Sequence, residues 1–308
     1  MFATPRKSVL RTLAAAGLGV VLAVEAGAQV DGALHTGHSI PGFHGFESCV
    51  RPPLGVSYDN VTIFYTASHE TDRNGNDAGT SGSVKQLSNH TTVTWLSPWR
   101  IFGANYTARA RLSLANSAPH PRSLSAGNDD FDIGDTYLEP LGLYWPGEKG
   151  YLSLRYGLWL DTGDFDSEDL DSVGKGFRTH QISLGFTYYP GGDRLWNLSA
   201  LGRYGHHEQV DGLDLHPGDD IVVDWSAGRR LGERWNAGLV GYGVFQTSRD
   251  KGADAASRGF YGNAGLGVGA RYDLPSIDGS AELRVYQEFN SFNHTEGQTA
   301  AFGLKFQI

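Results

Sequence analysis

From about Tyr151 to Ile308 the chain repeats one device: apolar and polar residues alternate with period two, stop at a Gly/Asp/Pro cluster, and resume. Successive side chains of an extended strand point to opposite faces, so this pattern reads as strands with one greasy side. The last stretch is the cleanest. Phe302, Leu304, Phe306 and Ile308 share one face; Ala301, Gly303, Lys305 and Gln307 share the other.

The same reading extends back to residue 54 and predicts about twelve strands. They are Leu54–Ser68, Val84–Leu96, Phe102–Asn116, Phe131–Trp145, Gly150–Thr162, Thr179–Tyr189, Leu195–His207, Asp219–Leu231, Trp235–Arg249, Arg258–Leu274, Gly279–Asn290 and Thr295–Ile308. Short breaks at Ser97–Arg100, Pro146–Glu148, Pro190–Asp193, Gly232–Arg234 and Pro275–Ser276 alternate with longer ones at Thr71–Ser83, Ser117–Asp130, Gly163–Arg178, Glu208–Gly218 and Asp250–Ser257. Short periplasmic turns, long external loops and an even strand count are the arrangement of a bacterial outer-membrane barrel. The expected fold is therefore all-β: a transmembrane, antiparallel, up-and-down β-barrel over residues 54–308 with both termini on the periplasmic side.

Alternation alone does not say which face is inside. A soluble barrel buries its apolar face; a membrane barrel turns that face to lipid. The charged residues Arg109, Arg111, Glu139, Arg155, Arg203, Asp224, Arg271, Glu282, Arg284 and Glu288 all fall on the polar faces. On a membrane barrel they line the lumen and pair across strands. Aromatic residues Trp95, Trp99, Tyr144, Trp145, Tyr188, Tyr189, Trp196 and Trp235 gather at the short turns, where a girdle at the membrane–water interface suits them.

The first 28 residues read as a signal peptide. Arg6, Lys7 and Arg11 form a positive start, Leu13 to Val24 is a short apolar run, and Ala26-Gly27-Ala28 offers small residues for cleavage before Gln29. That run is shorter than the roughly 20 apolar residues a spanning helix needs. Without it the formal charge falls from −9 to about −11, which argues against nucleic acid as a partner. Residues 29–53, rich in Gly and Pro, read as an irregular periplasmic lead-in. Cys49 is the single cysteine, so no internal disulfide or CxxC site exists.

Enzyme signatures are missing from the sequence: no Gly-x-Ser-x-Gly, no His-Glu-x-x-His and no phosphate loop. The glycines of Gly262 to Gly269 lack the strand–turn–helix setting of a dinucleotide site. His206 and His207 are neighbours on a strand and point to opposite faces, which disfavours a shared metal. Asp161, Asp164, Asp166, Glu168, Asp169 and Asp171 form an acidic run in an external loop without calcium-loop spacing, so a solvated loop is favoured over a cation site. No cofactor is expected.

Several segments resemble the outer-membrane family named after the phenol meta-cleavage degradation pathway, described as transporters. They are Gly134–Leu141, Leu158–Phe165, Ser183–Tyr189, Trp196–Leu201, Pro217–Asp219, Asp224-Trp225, Gly241-Tyr242, Gln246-Thr247 and Arg284–Phe289. The likeness runs from about Gly42 to the end and rests on the ordered series. It implies an outer-membrane barrel that takes up aromatic or other hydrophobic small molecules, with membrane lipid as its surroundings and an unidentified solute as its partner. One departure is the terminal Ile308, where such barrels end on Phe or Trp. Phe302 and Phe306 keep the aromatic pattern by which a C-terminal strand meets the barrel-assembly machinery. Selectivity would lie with Arg109, Arg111, Glu139, Arg155, Arg203, Asp224, Glu282, Arg284 and Glu288. The alternative is a closed barrel with a structural or loop-borne adhesive role.

Overall fold

A computed structural model of the chain describes residues 36–79, 83–116, 131–167, 172–255 and 259–308. The expected signal peptide at 1–28 and the acidic positions 168–171 lie outside them. The described residues form β1 (Gly55–Thr71), β2 (Val84–Ile101), β3 (Ala104–Ala115), β4 (Asp132–Ile133), β5 (Thr136–Gly147), β6 (Gly150–Leu160) and β7 (Thr179–Tyr188). Then come β8 (Trp196–His207), β9 (Asp220–Leu231), β10 (Trp235–Gln246), β11 (Gly262–Leu274), β12 (Gly279–Phe292) and β13 (His294–Gln307). The two-residue β4 continues the ladder of β5 along β3, so the wall has twelve staves.

Each stave pairs antiparallel with its neighbours in sequence, and β1 pairs with β13 from Ser57↔Gln307 to Thr71↔His294. The sheet thus closes on itself and leaves no edge. Closure gives the edge N–H and C=O groups of β1 and β13 ladder partners, which hydrocarbon demands because it offers no hydrogen bonds.

Burial settles the question of sidedness. Leu184, Ile182, Val268 and Leu283 are more than half exposed on the outer face. On the opposite face Ser183, Arg203, Asp224 and Arg284 are buried. A water-soluble protein with that distribution would expose its apolar surface and bury its charges, each costly. Turned to lipid, the outer apolar band is stabilising.

Each of the twelve expected strands corresponds to one stave, with differences that have local causes. The first short turn falls at Phe102-Gly103, both with positive φ (51° and 79°), not at Ser97–Arg100. Residues 97–99 form a bulge between Leu96↔Thr107 and Arg100↔Asn105, where Pro98 has no N–H to give a ladder. A second bulge lies in β5 between Leu138 and Leu141 and contains Pro140. It adds one residue, so Tyr137 and Glu139 point inward before it, and Gly142 and Tyr144 after it. The final hairpin also departs from expectation: β12 and β13 are joined at Asn293, with φ 47°, on the long-loop side.

Candidate functional site: the lumen and its internal segment

The lead-in expected in the periplasm is corrected by its contacts: residues 36–53 pass through the barrel. Their partners on β7 show the direction. His38 Nδ1 lies 2.7 Å from Thr179 Oγ1, Ser39 Oγ donates to Gln181 Oε1 at 2.9 Å, and the Cys49 N–H donates to Thr187 Oγ1 at 3.3 Å. Thr179, Gln181 and Thr187 succeed one another down the inner face of β7, so the segment descends from the long-loop end to the short-turn end. It then turns into β1 at Gly55.

At the top, Lys175 Nζ, in the loop after β6, donates to the Thr36 carbonyl at 2.8 Å. His38 stacks on Trp159, with centroids 5.2 Å apart, and its Nε2 lies 3.0 Å from Asp135 Oδ2. Burial pushes the His38 imidazole down to about 4, against the upward pull of Asp135.

Midway, the wall reads the segment's backbone. Asp224 accepts the N–H groups of Gly42 (2.8 Å) and His44 (3.4 Å), and Arg203 donates to the Ile40 carbonyl at 2.8 Å. Arg203 and Asp224 also pair with each other at 2.7 Å. Arg284 donates to the Phe43 carbonyl at 2.9 Å, and Glu282 accepts the Phe46 N–H at 3.2 Å. Two phenylalanines give apolar anchorage in this polar space. Phe43 packs with Val61, Ile63 and Ala301, and Phe46 with Val222, Val240, Tyr242 and Tyr286. Burying each is worth roughly 1.5–3 kcal/mol.

At the lower end Glu47 accepts from Tyr189 Oη at 2.7 Å and pairs with Arg271. Burial raises the Glu47 carboxyl, but Arg271 and the Tyr189 hydroxyl outweigh it and hold the group below the ordinary range. Below lies a cavity of about 500 Å³, open to the short-turn side. A smaller one of about 80 Å³ lies above the segment, between His38, Tyr65, His90 and Trp159. No backbone-to-backbone hydrogen bond joins segment and wall among the described residues.

All nine lumenal residues singled out in the sequence face inward. Arg203, Asp224, Glu282 and Arg284 bind the segment, and Arg111 lies over the Phe43 ring at 3.9 Å. Arg109 pairs with Glu139 at 3.0 Å and donates to Tyr144 Oη at 2.8 Å. Arg155 lies over the Tyr144 ring at 5.7 Å. Glu288 is apart from the segment: it accepts from Tyr65, Tyr242, Asn263 and the Gly297 N–H.

Two members of the expected aromatic girdle are corrected. Tyr144 and Tyr189 are buried in the lumen, Tyr144 because of the β5 bulge and Tyr189 because it lies one residue past the outward Tyr188. Trp95, Trp99, Tyr188, Trp196 and Trp235 are exposed on the outer wall as expected. His206 bonds Asp219 on the outer face while His207 meets Thr179 inside. In the acidic run, Asp161 is engaged by Arg178 at 2.9 Å.

The sequence reading passed over the segment's own contribution. Its signal was Gly42-Phe43-His44-Gly45-Phe46, two Gly-Phe pairs too apolar for a solvated linker. Gly45 approaches Glu282 and Arg284 so closely that a Cβ would overlap both.

Fold and lumen together define an outer-membrane β-barrel closed around an internal segment. A family profile matches residues 67–304, and the chain belongs to that family, described as "Putative MetA-pathway of phenol degradation". No curated protein matches it significantly in sequence. Among solved structures it is similar to an outer membrane channel from Pseudomonas putida F1, with a TM-score of 0.71 at 11% identity over 88% of this chain and 100% of that one. A weaker likeness is to the translocator domain of the autotransporter NalP from Neisseria meningitidis: TM-score 0.49, 12% identity, 84% of this chain and 91% of that one.

Proposed function

We propose that the protein is a passive channel for uptake of aromatic or other hydrophobic small molecules, occluded at rest by residues 36–53. The observation that carries this reading is how the segment is held. Side chains of the wall grip it at every level, and no ladder ties it in, so it can shift without breaking the barrel. A purely structural barrel has no need of such a seat. Family membership and the channel from Pseudomonas putida supply the class of solute and the fold.

In this reading the protein binds and passes its solute with no covalent step. Arg203, Asp224, Glu282 and Arg284 hold the segment by its backbone, and Arg109, Arg111, Glu139 and Arg155 set the charge of the space beneath it. Glu288 braces the wall from the inside. The test is single-channel recording of the folded chain in planar bilayers. Arg203→Ala and Arg284→Ala should raise the frequency of discrete ohmic steps and shift ion selectivity. Silence from both variants and from the parent, each shown to be folded and inserted, would support the closed structural or adhesive barrel instead.

A further inference from the structure

The lower cavity holds a charge imbalance that the channel reading leaves unused. Four guanidiniums of its neighbourhood have carboxylate partners: Arg109 with Glu139, Arg203 with Asp224, Arg271 with Glu47, and Arg284 with Glu282. Asp59 and Lys305 both line the cavity and sit opposite each other in the β1–β13 ladder, so their charges offset. Asp273 lines it too and meets Arg230 and Arg271, while Arg51 and Asp278 line it with opposite charges. Among the buried guanidiniums, Arg111 and Arg155 remain. Among the described residues neither has a carboxylate within ion-pair distance, although both are more than nine-tenths buried. Buried, unpaired cations are costly, and the cost is relieved only by an anion or a well-placed polar ligand.

Arg111 lines the cavity and is already oriented. Its flat face rests on the Phe43 ring, and its Nε donates to Thr92 Oγ1 at 3.1 Å. Stacking occupies the face and Thr92 takes the Nε edge, which leaves the paired Nη donors in the plane. That fork matches a carboxylate. Arg155 stands behind Tyr144, another lining residue, and its buried Nε and Nη2 have no acceptor. Tyr144, Tyr151 and Phe43 supply aromatic walls, and about 500 Å³ suits a small organic ligand.

We propose that this cavity binds a small aromatic carboxylate, its anionic end on the Nη edge of Arg111 and its ring among Phe43, Tyr144 and Tyr151. The proposal narrows the solute class and rests on the uptake reading for transport, though not for binding. Benzoate and its neutral isostere benzamide are the probes, titrated calorimetrically against the full, folded chain in detergent at pH 7 and low chloride. Benzoate should bind about tenfold more tightly or better, because one charge-assisted bidentate contact distinguishes the two. Arg111→Gln should abolish that preference by weakening benzoate far more than benzamide, while Arg111→Lys should keep part of it. Mobility of the unheated protein on a denaturing gel confirms that each variant is folded.

Equal affinities for the two probes, absence of benzoate binding, or a preference that survives Arg111→Gln would each overturn the proposal. Uptake of phenol, neutral at pH 7, into proteoliposomes separates this from the broader reading. Phenol entry without benzoate binding removes the anion seat and leaves the channel. Benzoate binding with no passage of phenol or benzoate keeps the seat and removes the channel.

Discussion

At the residue scale, small groups decide whether the internal segment seats. Gly45 has room for a hydrogen and nothing larger beside Glu282 and Arg284. Gly45→Val should therefore unseat the segment's lower half and increase channel opening in bilayers, with gel mobility of the folded barrel retained. Traces identical to the parent's would show that Gly45 is not a contact on which closure depends. His38 acts at the other end, facing Asp135, Thr179, Lys175 and His207. Its imidazole titrates near 4 when seated and near 6.5 when released to water. The released state therefore binds the proton more readily, and seating is fully favoured above about 6.5 and weakens as pH falls toward 4. The total is roughly 3 kcal/mol. Opening frequency should rise across that window, and His38→Gln should reduce the rise, leaving the part that belongs to His44, which is released with the same segment.

At the scale of the element, the β5 bulge has the largest consequence. Pro140 has no N–H for the ladder, and its extra residue moves the inward set from odd to even positions. Tyr144 enters the lumen only for that reason, and with it the partner of Arg109. Deleting Pro140 should turn Tyr144 toward lipid, leave Arg109 and Arg155 without their ring, and sharply lower the folded fraction recovered on refolding. Normal recovery would mean that the strand can slip back into register elsewhere. Alternation was legible in the sequence for every stave, but a parity change within one was not, because it depends on what lies across the ladder.

At the scale of the whole molecule, inside and outside are reversed relative to a soluble protein. Leu184→Arg, placed on the lipid face midway along β7, should destabilise the folded barrel by about 2–4 kcal/mol in a refolding titration. Removing residues 36–53 should leave the wall intact and give larger conductance steps than any point variant, since the staves pair only with one another. By itself, the sequence determined the strand number, the order, most of the turn positions and which charges share the polar face. These follow from a period-two pattern that each strand carries locally. Only the tertiary structure decided which face looks inward and where residues 36–53 run. It also decided which arginines find carboxylates, and which two do not. Those depend on closure of the ring: twelve staves enclose a volume, and residues far apart in the chain meet only once that volume exists.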